Sequence, residues 1–403
     1  MTLKEKRRID QLRHGIVPEG YKRTKVGICP EDWVENVLGD IYTERKEPGK
    51  EGLPLLMVSI HSGVSDGEVG EKDLPKRFKR IEDKSQYKRA VVGDLVFNMM
   101  RAWQGAIGSV RTEGMVSPAY VVAKPNDMVD PLFMDYYMKT NRMVHTIHRQ
   151  SYGVTDFRLR LYWESFAPIP CVLPPAREQK KIAEILTTQD KIIELEQQKI
   201  EEIKKVKRFF LEKMFPKEGQ TVPEIRFKGF TAPWEQRKLG DLLQTLPFKQ
   251  FLKEPEPDGK YEIIQQGNEP VIGFANGTPC GDYKDVVIFG DHTLSLYKPQ
   301  HPFFVATDGV RIVKGQQDTD GYYLLSLLER YKPQSEGYKR YYCILADTNC
   351  ITTYNTSEQG QIGAFFKHLD NLITLHQREL AEVGKYKKAL MQLLLTGLVR
   401  VNA

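Results

Sequence analysis

Two long stretches of the chain place apolar residues at alternating steps of three and four positions. In the first stretch the apolar positions are Ile182, Leu186, Ile193, Ile200, Ile203, Phe210 and Met214. In the second they are Ile362, Phe366, Leu369, Ile373, Leu380, Val383, Leu390 and Leu394. This spacing is typical of a narrow coiled-coil seam rather than of a broad globular face. Each stretch is therefore predicted to form one helix of about 38 residues, a rod of ~57 Å.

The second stretch repeats the first after 180 residues without a gap, so that Glu178 corresponds to Glu358 and Lys207 to Lys387. Polar residues interrupt the seams at Gln189, Glu196 and Lys207 in the first copy and at His376 and Lys387 in the second. This agreement indicates an internal duplication. Because one helix cannot bury its own seam, the two copies are predicted to pair as an antiparallel coiled coil. Packing of each helix on its own domain, or pairing between two chains, is the alternative.

The segments that precede the two domains are also written twice. Residues 17–40 read VPEGYKRTKVGICPEDWVENVLGD and residues 222–241 read VPEIRFKGFTAPWEQRKLGD, with Trp33 and Trp234 at matching places. The sequence therefore predicts an α+β protein with pseudo-twofold symmetry. Its predicted parts are a first domain (1–176), a first spacer helix (177–216), a second domain (217–357) and a second spacer helix (358–403).

Composition narrows the class of protein. A chain of 403 residues exceeds one ordinary core, which favours two or three domains. Its richest short apolar run, LPLLMVSI at residues 53–60, fits a buried strand and is too short to span a membrane. The N-terminus has no apolar signal region, so a cytoplasmic location is expected. The five cysteines form no CxxC pair, and no metal site is expected. The net charge of +6 permits nucleic-acid binding without requiring it.

Signatures of an enzyme are missing from the sequence. It contains no GxxxxGK[ST] phosphate loop and no NPPY or DPPY tetrapeptide of an adenine methyltransferase. A nuclease-like pattern of Asp73, Glu82 and Lys84 is too permissive to carry weight. A non-catalytic binding protein is therefore predicted.

Taken together, these features resemble the specificity subunit of type I restriction–modification systems. The resemblance rests on the Pro, Trp and LGD openings, the ending IPCVLPPAREQKKIAEIL of the first domain and the second EQxxI helix ending in LLLTGLVRV. GDLVFNMMRAWQGAIG in the first domain and FGDHT in the second add to it. The second domain departs from the pattern, because ITTYNTSEQGQIG replaces a proline-rich ending.

The resemblance implies a DNA-reading scaffold without catalysis of its own. Each target-recognition domain would read one half of a bipartite, asymmetric sequence in double-stranded DNA, and the helix pair would set the spacing between the halves. Methyltransferase subunits would dock on the helices, and endonuclease/translocase subunits would complete the restriction form. No cofactor is expected on this chain, whereas S-adenosylmethionine, ATP and Mg²⁺ are expected on the partners.

Residue types that read bases suggest candidate contacts, because Arg and Lys pair with guanine and Asn and Gln pair with adenine. In the first domain the candidates are Arg101, Trp103, Gln104, Tyr152, Arg158 and Arg160. In the second they are Gln265, Gln266, Asn268, His292, Thr293, Lys339 and Arg340. Asp291 is predicted to hold the FGDHT loop through side-chain hydrogen bonds. A core role for Trp103 and a solvated role for the charged residues remain alternatives.

Two other functions fit the same build. One is a free-standing DNA-binding regulator without enzyme partners, and the other is a scaffold whose domains bind proteins. Co-purification with a methyltransferase separates the specificity subunit from both. A steep salt dependence of duplex binding separates the two DNA-binding functions from the protein scaffold.

Overall fold

The chain forms two compact units that each combine helices with strands. The structure is a computed structural model that describes residues 3–60, 63–68, 81–153, 158–316 and 318–401. Unit 1 comprises Met1–Glu194 and Ala381–Ala403, and unit 2 comprises Leu195–Leu380. The prediction of mixed helix and strand content is confirmed.

Unit 1 contains the elements of the first half of the chain. Its helices are α1 (Leu3–Arg13), α2 (Leu38–Ile41), α3 (Pro131–Met138), α4 (Asn141–Gln150), α5 (Trp163–Phe166) and the first part of α6 (Ala176–Lys213). Its strands are β1 (Tyr21–Thr24), β2 (Gly27–Pro30), β3 (Val34–Val37), β4 (Tyr42–Glu44), β5 (Val58–Ser59), β6 (Gly63–Val64), β7 (Lys88–Ala90), β8 (Leu95–Asn98), β9 (Ile107–Ser109), β10 (Gly114–Val116), β11 (Tyr120–Pro125) and β12 (Pro170–Leu173). An antiparallel sheet runs in the order β4-β11-β8-β9, and β3 pairs with β12.

Unit 2 repeats this plan. Its helices are α7 (Leu239–Leu242), α8 (Gly321–Tyr331), α9 (Tyr342–Asp347) and most of α10 (Thr356–Leu394). Its strands are β13 (Glu235–Lys238), β14 (Leu243–Leu246), β15 (Tyr261–Ile264), β16 (Val271–Ala275), β17 (Val286–Gly290), β18 (Leu296–Tyr297), β19 (Phe303–Val305), β20 (Val310–Gly315) and β21 (Asn349–Thr352). An antiparallel sheet runs in the order β14-β20-β17-β18, and β13 pairs with β21. A further sheet, β16-β15-β19, has one parallel pair.

The central strand of each four-stranded sheet is apolar on both faces because it separates two cores. In β8, Leu95 and Phe97 pack in the core that contains the helices, whereas Val96 packs in a second core on the other face. In β17, Phe289 and Ile288 are divided between two cores in the same way. Continuous apolar runs in these strands follow from this burial on both sides.

The apolar run at residues 53–60, which fits a buried strand by sequence, forms a strand over only part of its length. Only Val58–Ser59 is a strand, although Leu55 and Leu56 are buried. The N–H group of Leu56 donates to the carbonyl of Met115 at 2.8 Å, and that of Met57 donates to the hydroxyl of Ser65 at 3.0 Å. Leu56 and Met57 thus bond to different segments, and the ladder with β6 covers only Val58–Ser59.

The repeated LGD motif forms a short helix that is packed closely in both units. A Cβ atom added at Gly39 would lie 3.0 Å from the Cβ atom of Ala167. One added at Gly240 would lie 3.0 Å from the carbonyl oxygen of Ala346. A larger residue would push these segments apart, which explains why glycine stands in both copies.

A buried glutamate near the start of α6 joins three segments of unit 1. The Glu178 carboxylate accepts a hydrogen bond from Nε1 of Trp33 at 3.1 Å. It also accepts hydrogen bonds from Nε and Nη2 of Arg400, both at 2.8 Å. The opening segment, the helix start and the residues beyond α10 therefore meet at one carboxylate.

The corresponding glutamate of α10 makes the same set of contacts in unit 2. The Glu358 carboxylate accepts a hydrogen bond from Nε1 of Trp234 at 3.3 Å, and from Nε and Nη2 of Arg226 at 2.7 and 3.0 Å. Arg226 lies beyond α6, just as Arg400 lies beyond α10. The duplication seen in the sequence is thus reproduced in the buried hydrogen bonds.

The glutamine that follows each of these glutamates also has a repeated role. The Oε1 atom of Gln179 accepts a hydrogen bond from the Asp130 N–H at 2.9 Å, and that of Gln359 accepts one from the Asp320 N–H at 3.3 Å. Asp130 and Asp320 are the N-cap residues of α3 and α8. The EQ pair therefore fixes the start of a second helix in each unit.

The two long helices contact each other within each unit. In unit 1, the ammonium of Lys387 donates to Asp190, which also accepts a hydrogen bond from Tyr136 at 2.6 Å. In unit 2, the ammonium of Lys207 donates to Asp370 at 2.7 Å. In both units a residue late in one helix meets a residue early in the other, as antiparallel helices require.

Burial of the predicted seam varies along the helices. The buried positions are Ile182, Leu186, Ile200, Met214, Ile362, Phe366, Leu369 and Leu394. The half-buried positions are Ile193, Ile203, Phe210, Ile373, Leu380, Val383 and Leu390. Ile182 and Leu186 share a core with Leu394 in unit 1, whereas Ile362 and Phe366 belong to the main core of unit 2. Their role as a subunit interface stays a prediction.

Removal of Arg226 is expected to destabilise unit 2. The Arg226→Met variant leaves the Glu358 carboxylate buried without its cation, and the free energy of unfolding should fall by about 3 kcal/mol. Urea denaturation followed by circular dichroism measures this change. The matched control is Arg237→Met, whose exposed side chain pairs with Glu235 at 2.5 Å and should contribute much less, because water screens an exposed ion pair. Equal effects of the two substitutions would contradict the role given to the buried pair.

Candidate nucleic-acid interface

The RAWQG segment of unit 1 forms a 3₁₀ turn, Ala102–Gln104, that exposes Arg101 and Gln104. Gly105 closes the turn with a φ of 99°, which a residue with a side chain rarely adopts. Trp103 is half-buried, and its Nε1 atom donates to the Met100 carbonyl at 3.0 Å. Its ring packs edge-on against His148 at 5.5 Å between centroids. Trp103 thus supports the turn, and the two polar side chains beside it face solvent.

The second candidate segment of unit 1 pairs through its backbone. The N–H group of Tyr152 donates to the carbonyl of Arg160 at 3.0 Å, and that of Arg160 donates back at 2.9 Å. The Tyr152 ring is 58% exposed and lies 5.3 Å from the Tyr162 ring. Arg158 and Arg160 are exposed on the same concave surface. Aromatic rings beside guanidinium groups suit a polyanion with flat bases.

These two segments of unit 1 lie side by side. The N–H group of Leu161 donates to the Met99 carbonyl at 2.8 Å, which joins the residues next to Arg160 and to Arg101. The contact between Trp103 and His148 adds helix α4 to the same region. The two segments that carry the six predicted readers of the first domain are therefore neighbours in unit 1.

In unit 2, the QQGN loop contacts the FGDHT loop. The backbone N–H of His292 donates to Oε1 of Gln266 at 3.1 Å, and the N–H of Gly267 donates to Oγ of Ser295 at 2.9 Å. Gln265 is also used locally, since its amide donates to the Glu269 carbonyl at 2.9 Å. Asn268 and Thr293 are exposed. Gln266 therefore holds the loops together, whereas Asn268 faces solvent.

A third segment of unit 2, GYKRYY at residues 337–342, packs against the FGDHT loop. Nδ1 of His292 lies 2.9 Å from the Lys339 carbonyl oxygen. The His292 ring stacks on that of Tyr338, with 4.6 Å between centroids and 2° between planes. Tyr338 is 86% exposed, and Arg340 beside it is also exposed. The structure thus gathers all seven candidates of the second domain around three neighbouring loops.

Asp291 anchors these loops. Its buried carboxylate accepts a hydrogen bond from the Tyr342 N–H at 2.9 Å and lies 3.2 Å from Nη2 of Arg311. The predicted hydrogen bonds of this side chain are therefore present. Because His292 contacts the Lys339 carbonyl instead, the Asp and His do not form an acid–base pair.

The cations of the third segment differ in availability. The Lys339 ammonium lies 2.7 Å from the Glu336 carboxylate, and this hydrogen bond raises the pKa of Lys339 above its usual value. Its charge is thus partly balanced within the segment. Arg340 is the better placed of the two for a phosphate contact.

Comparison with known proteins points to one family. Residues 120–205 match the family model described as "Type I restriction modification DNA specificity domain". A putative type I restriction enzyme MjaX specificity subunit of Methanocaldococcus jannaschii is 25% identical, with 95% of this chain and 97% of the relative covered. The MjaVIII specificity subunit of the same organism is 23% identical over 95% of this chain and 97% of the relative.

Solved structures give the same fold. The type I restriction–modification S subunit from M. genitalium matches with a TM-score of 0.59 and 15% identity, over 90% of this chain and 96% of that chain. A chain from a study of type I complex assembly and conformational transition matches with a TM-score of 0.53 and 14% identity, over 92% and 99%. The chain is thus similar, over nearly its whole length, to type I specificity subunits.

Several residues of the candidate surfaces escaped the sequence prediction. Tyr338, His148 and Tyr162 contact predicted readers, but only Tyr338 carries a sequence signal, because it precedes Lys339 and Arg340. Of the nuclease-like pattern, Asp73 lies outside the described residues. Among the helices in the described ranges, none is long and apolar enough to cross a membrane.

Gln266 is expected to act through loop structure. In the Gln266→Ala variant the His292 N–H loses its acceptor, so the free energy of unfolding of unit 2 should fall by about 1 kcal/mol. Hydrogen exchange measured by mass spectrometry should become faster at residues 290–295. The control Asn268→Ala removes an exposed amide and should leave exchange unchanged. Unchanged exchange in both variants would argue against the link between the loops.

Proposed function

We propose that this chain is the DNA-specificity subunit of a type I restriction–modification complex, with one half of a bipartite, asymmetric site read by each unit. The proposal rests on one observation. The buried contacts within each unit are duplicated, whereas the sequences of the exposed loops differ. Glu178 and Glu358 make the same contacts, whereas the exposed side chains near Arg101 and near Arg340 have no sequence in common. A shared frame with unlike readers suits an asymmetric DNA site.

The chemistry of the two surfaces supports base and phosphate contact. Unit 1 exposes Arg101, Gln104, Arg158 and Arg160 beside an exposed tyrosine. Arginine suits guanine and glutamine suits adenine in the major groove. Unit 2 offers Asn268 for adenine, Arg340 for phosphate and Tyr338 for stacking. Different residue types in the two units would select different bases.

The long helices are proposed to act as a coiled-coil spacer between the two readers. Two modules that read one face of B-DNA must lie about one helical turn apart, ~34–36 Å. A helix of 38 residues such as α6 has a length of ~57 Å, which is sufficient. The Asp190–Lys387 and Lys207–Asp370 pairs support a fixed register, since polar seam residues disfavour sliding.

Exposed apolar side chains on the helices suggest where methyltransferase subunits dock. Leu195, Val206 and Phe209 of α6 are exposed, and Leu375 and Tyr386 of α10 are exposed at the positions that correspond to Leu195 and Val206. Exposed apolar residues repeated on both helices suit two copies of one partner. S-adenosylmethionine, ATP and Mg²⁺ would be held by the methyltransferase and endonuclease/translocase subunits, and this chain supplies no catalytic group.

Loss of the Arg340 cation is expected to weaken DNA binding without changing sequence preference. The assembled complex should bind duplex DNA with a steep salt dependence, and Arg340→Ala should reduce the slope of log K against log salt by about 1. Fluorescence anisotropy over a series of salt concentrations measures this. The control Lys332→Ala removes an exposed cation from another part of unit 2 and should leave the slope unchanged. Binding that does not depend on salt would instead favour a protein-binding scaffold.

Lengthening both helices is expected to change the spacing of the recognised halves. Four helical residues inserted after Gln197 and after its counterpart Gln377 add ~6 Å to the pair, or one to two base pairs. Mapping methylated adenines in cells that carry the complex reads out the spacing directly. Insertion after Gln197 alone should abolish assembly, because it breaks the register of the helices. An intact complex with unchanged spacing would refute the spacer function.

A further inference from the structure

A cluster of metal-ligating side chains lies midway along the two long helices. Nδ1 of His376 lies 2.7 Å from Oε2 of Glu196 and 3.1 Å from Oε2 of Glu379. One ligand atom from each residue lies within 4.8 Å of the other two. Glu196 belongs to α6, whereas His376 and Glu379 belong to α10, and all three are part of unit 2.

The donor set fits a divalent transition metal. One imidazole nitrogen and two carboxylate oxygens are common ligands of Zn²⁺, at ~2.0–2.2 Å from the ion. Ligand atoms at those distances in a tetrahedron lie about 3.4 Å apart, close to the two spacings observed. Small rotations of the carboxylates would open the cluster enough to admit the ion.

The surroundings of the cluster combine burial with access to solvent. Glu196 and His376 are largely buried, whereas the Glu379 side chain is 49% exposed. The exposed side leaves room for water to complete the coordination of an ion.

The Lys199 ammonium would compete with a metal ion for the Glu196 carboxylate. Its ammonium lies 2.8 Å from Oε1 of Glu196 and is 52% exposed. A long exposed side chain can turn into solvent when an ion neutralises Glu196. Its removal should therefore tighten metal binding rather than weaken it.

We propose that Glu196, His376 and Glu379 bind a divalent transition-metal ion of the Zn²⁺ class, which links α6 to α10. The site does not depend on DNA recognition, so it can fail without consequence for the proposed function. Zn²⁺ and Cu²⁺ rank above Mn²⁺ and Fe²⁺ for imidazole and carboxylate ligands, and Mg²⁺ is not expected to compete. The bound ion would stabilise the pairing of the helices, because it binds the folded chain and not the unfolded one.

The test is metal binding to the purified full-length chain. Titration of the chelator-treated protein with Co²⁺ should give visible absorption that saturates at one ion per chain, and Zn²⁺ should displace it. His376→Ala and Glu379→Gln should each weaken Zn²⁺ binding more than about tenfold. Lys199→Gln should tighten it. The control is His368→Ala, which removes an exposed histidine of the same helix and should have no effect.

A second readout separates metal binding from a structural role of the cluster. Zn²⁺ should raise the unfolding temperature of the wild type and of His368→Ala, but not that of His376→Ala. If His376→Ala does not fold, Glu379→Gln provides the test instead, because a substitution at this half-exposed position should retain the fold. Saturable binding that survives both ligand substitutions, or the absence of stoichiometric binding to folded wild-type protein, would overturn the proposal. The cluster would then be a hydrogen-bonded polar layer only.

Discussion

Two buried carboxylates constrain the whole molecule. A charged group removed from water costs several kcal/mol unless it is paired and hydrogen-bonded, so Glu178 and Glu358 each require their partners in place. The partners are an indole from the opening of the same repeat and a guanidinium from beyond the other long helix. In each unit, one carboxylate thus joins the opening segment, the start of one long helix and the residues beyond the end of the other. The antiparallel contacts of the helices within each unit follow from it.

The sequence predicted the long helices and the repeated motifs, but it did not predict the arginine side chains that pair with the buried glutamates. Two long helices at 176–213 and 356–394 follow from the apolar period, and the repeated Trp and LGD motifs fall at equivalent places. The arginine partners could not be predicted in the same way. Arg226 and Arg400 each lie beyond a long helix, but at different distances from its end, so the repeat does not align them. Long-range pairing of this kind is set by tertiary structure.

The candidate reading surfaces show a similar limit. Residue type correctly drew attention to the QQGN, FGDHT and GYKRYY segments, but not to the hydrogen bonds that join them. Gln266 has the side chain of an adenine reader, yet it accepts a hydrogen bond from His292, which gives it a structural use. The apolar run at 53–60 forms a strand over only part of its length for a related reason, since its backbone partners come from separate segments. A local sequence pattern thus indicates which segments matter, whereas the tertiary hydrogen-bond partners determine the role of each side chain.

The duplication has a consequence at the middle of the helices. Asp190 pairs with Lys387 in unit 1, and their counterparts Asp370 and Lys207 pair in unit 2, so the two contacts are related by the repeat. Near the midpoint of two antiparallel helices that are related by this repeat, a residue of α6 must face the residue of α10 at the same position of the repeat. Two identical acidic residues there would repel each other across the seam, as they would in a dimer of two identical single-copy chains.

A single chain with two copies avoids this repulsion because its copies can diverge. Glu196 faces His376, its own counterpart, and Lys199 corresponds to Glu379. Glu196 therefore faces an imidazole instead of a second carboxylate. Divergence of the two copies thus removes, at the centre of the seam, the contact between identical carboxylates that two identical chains would have.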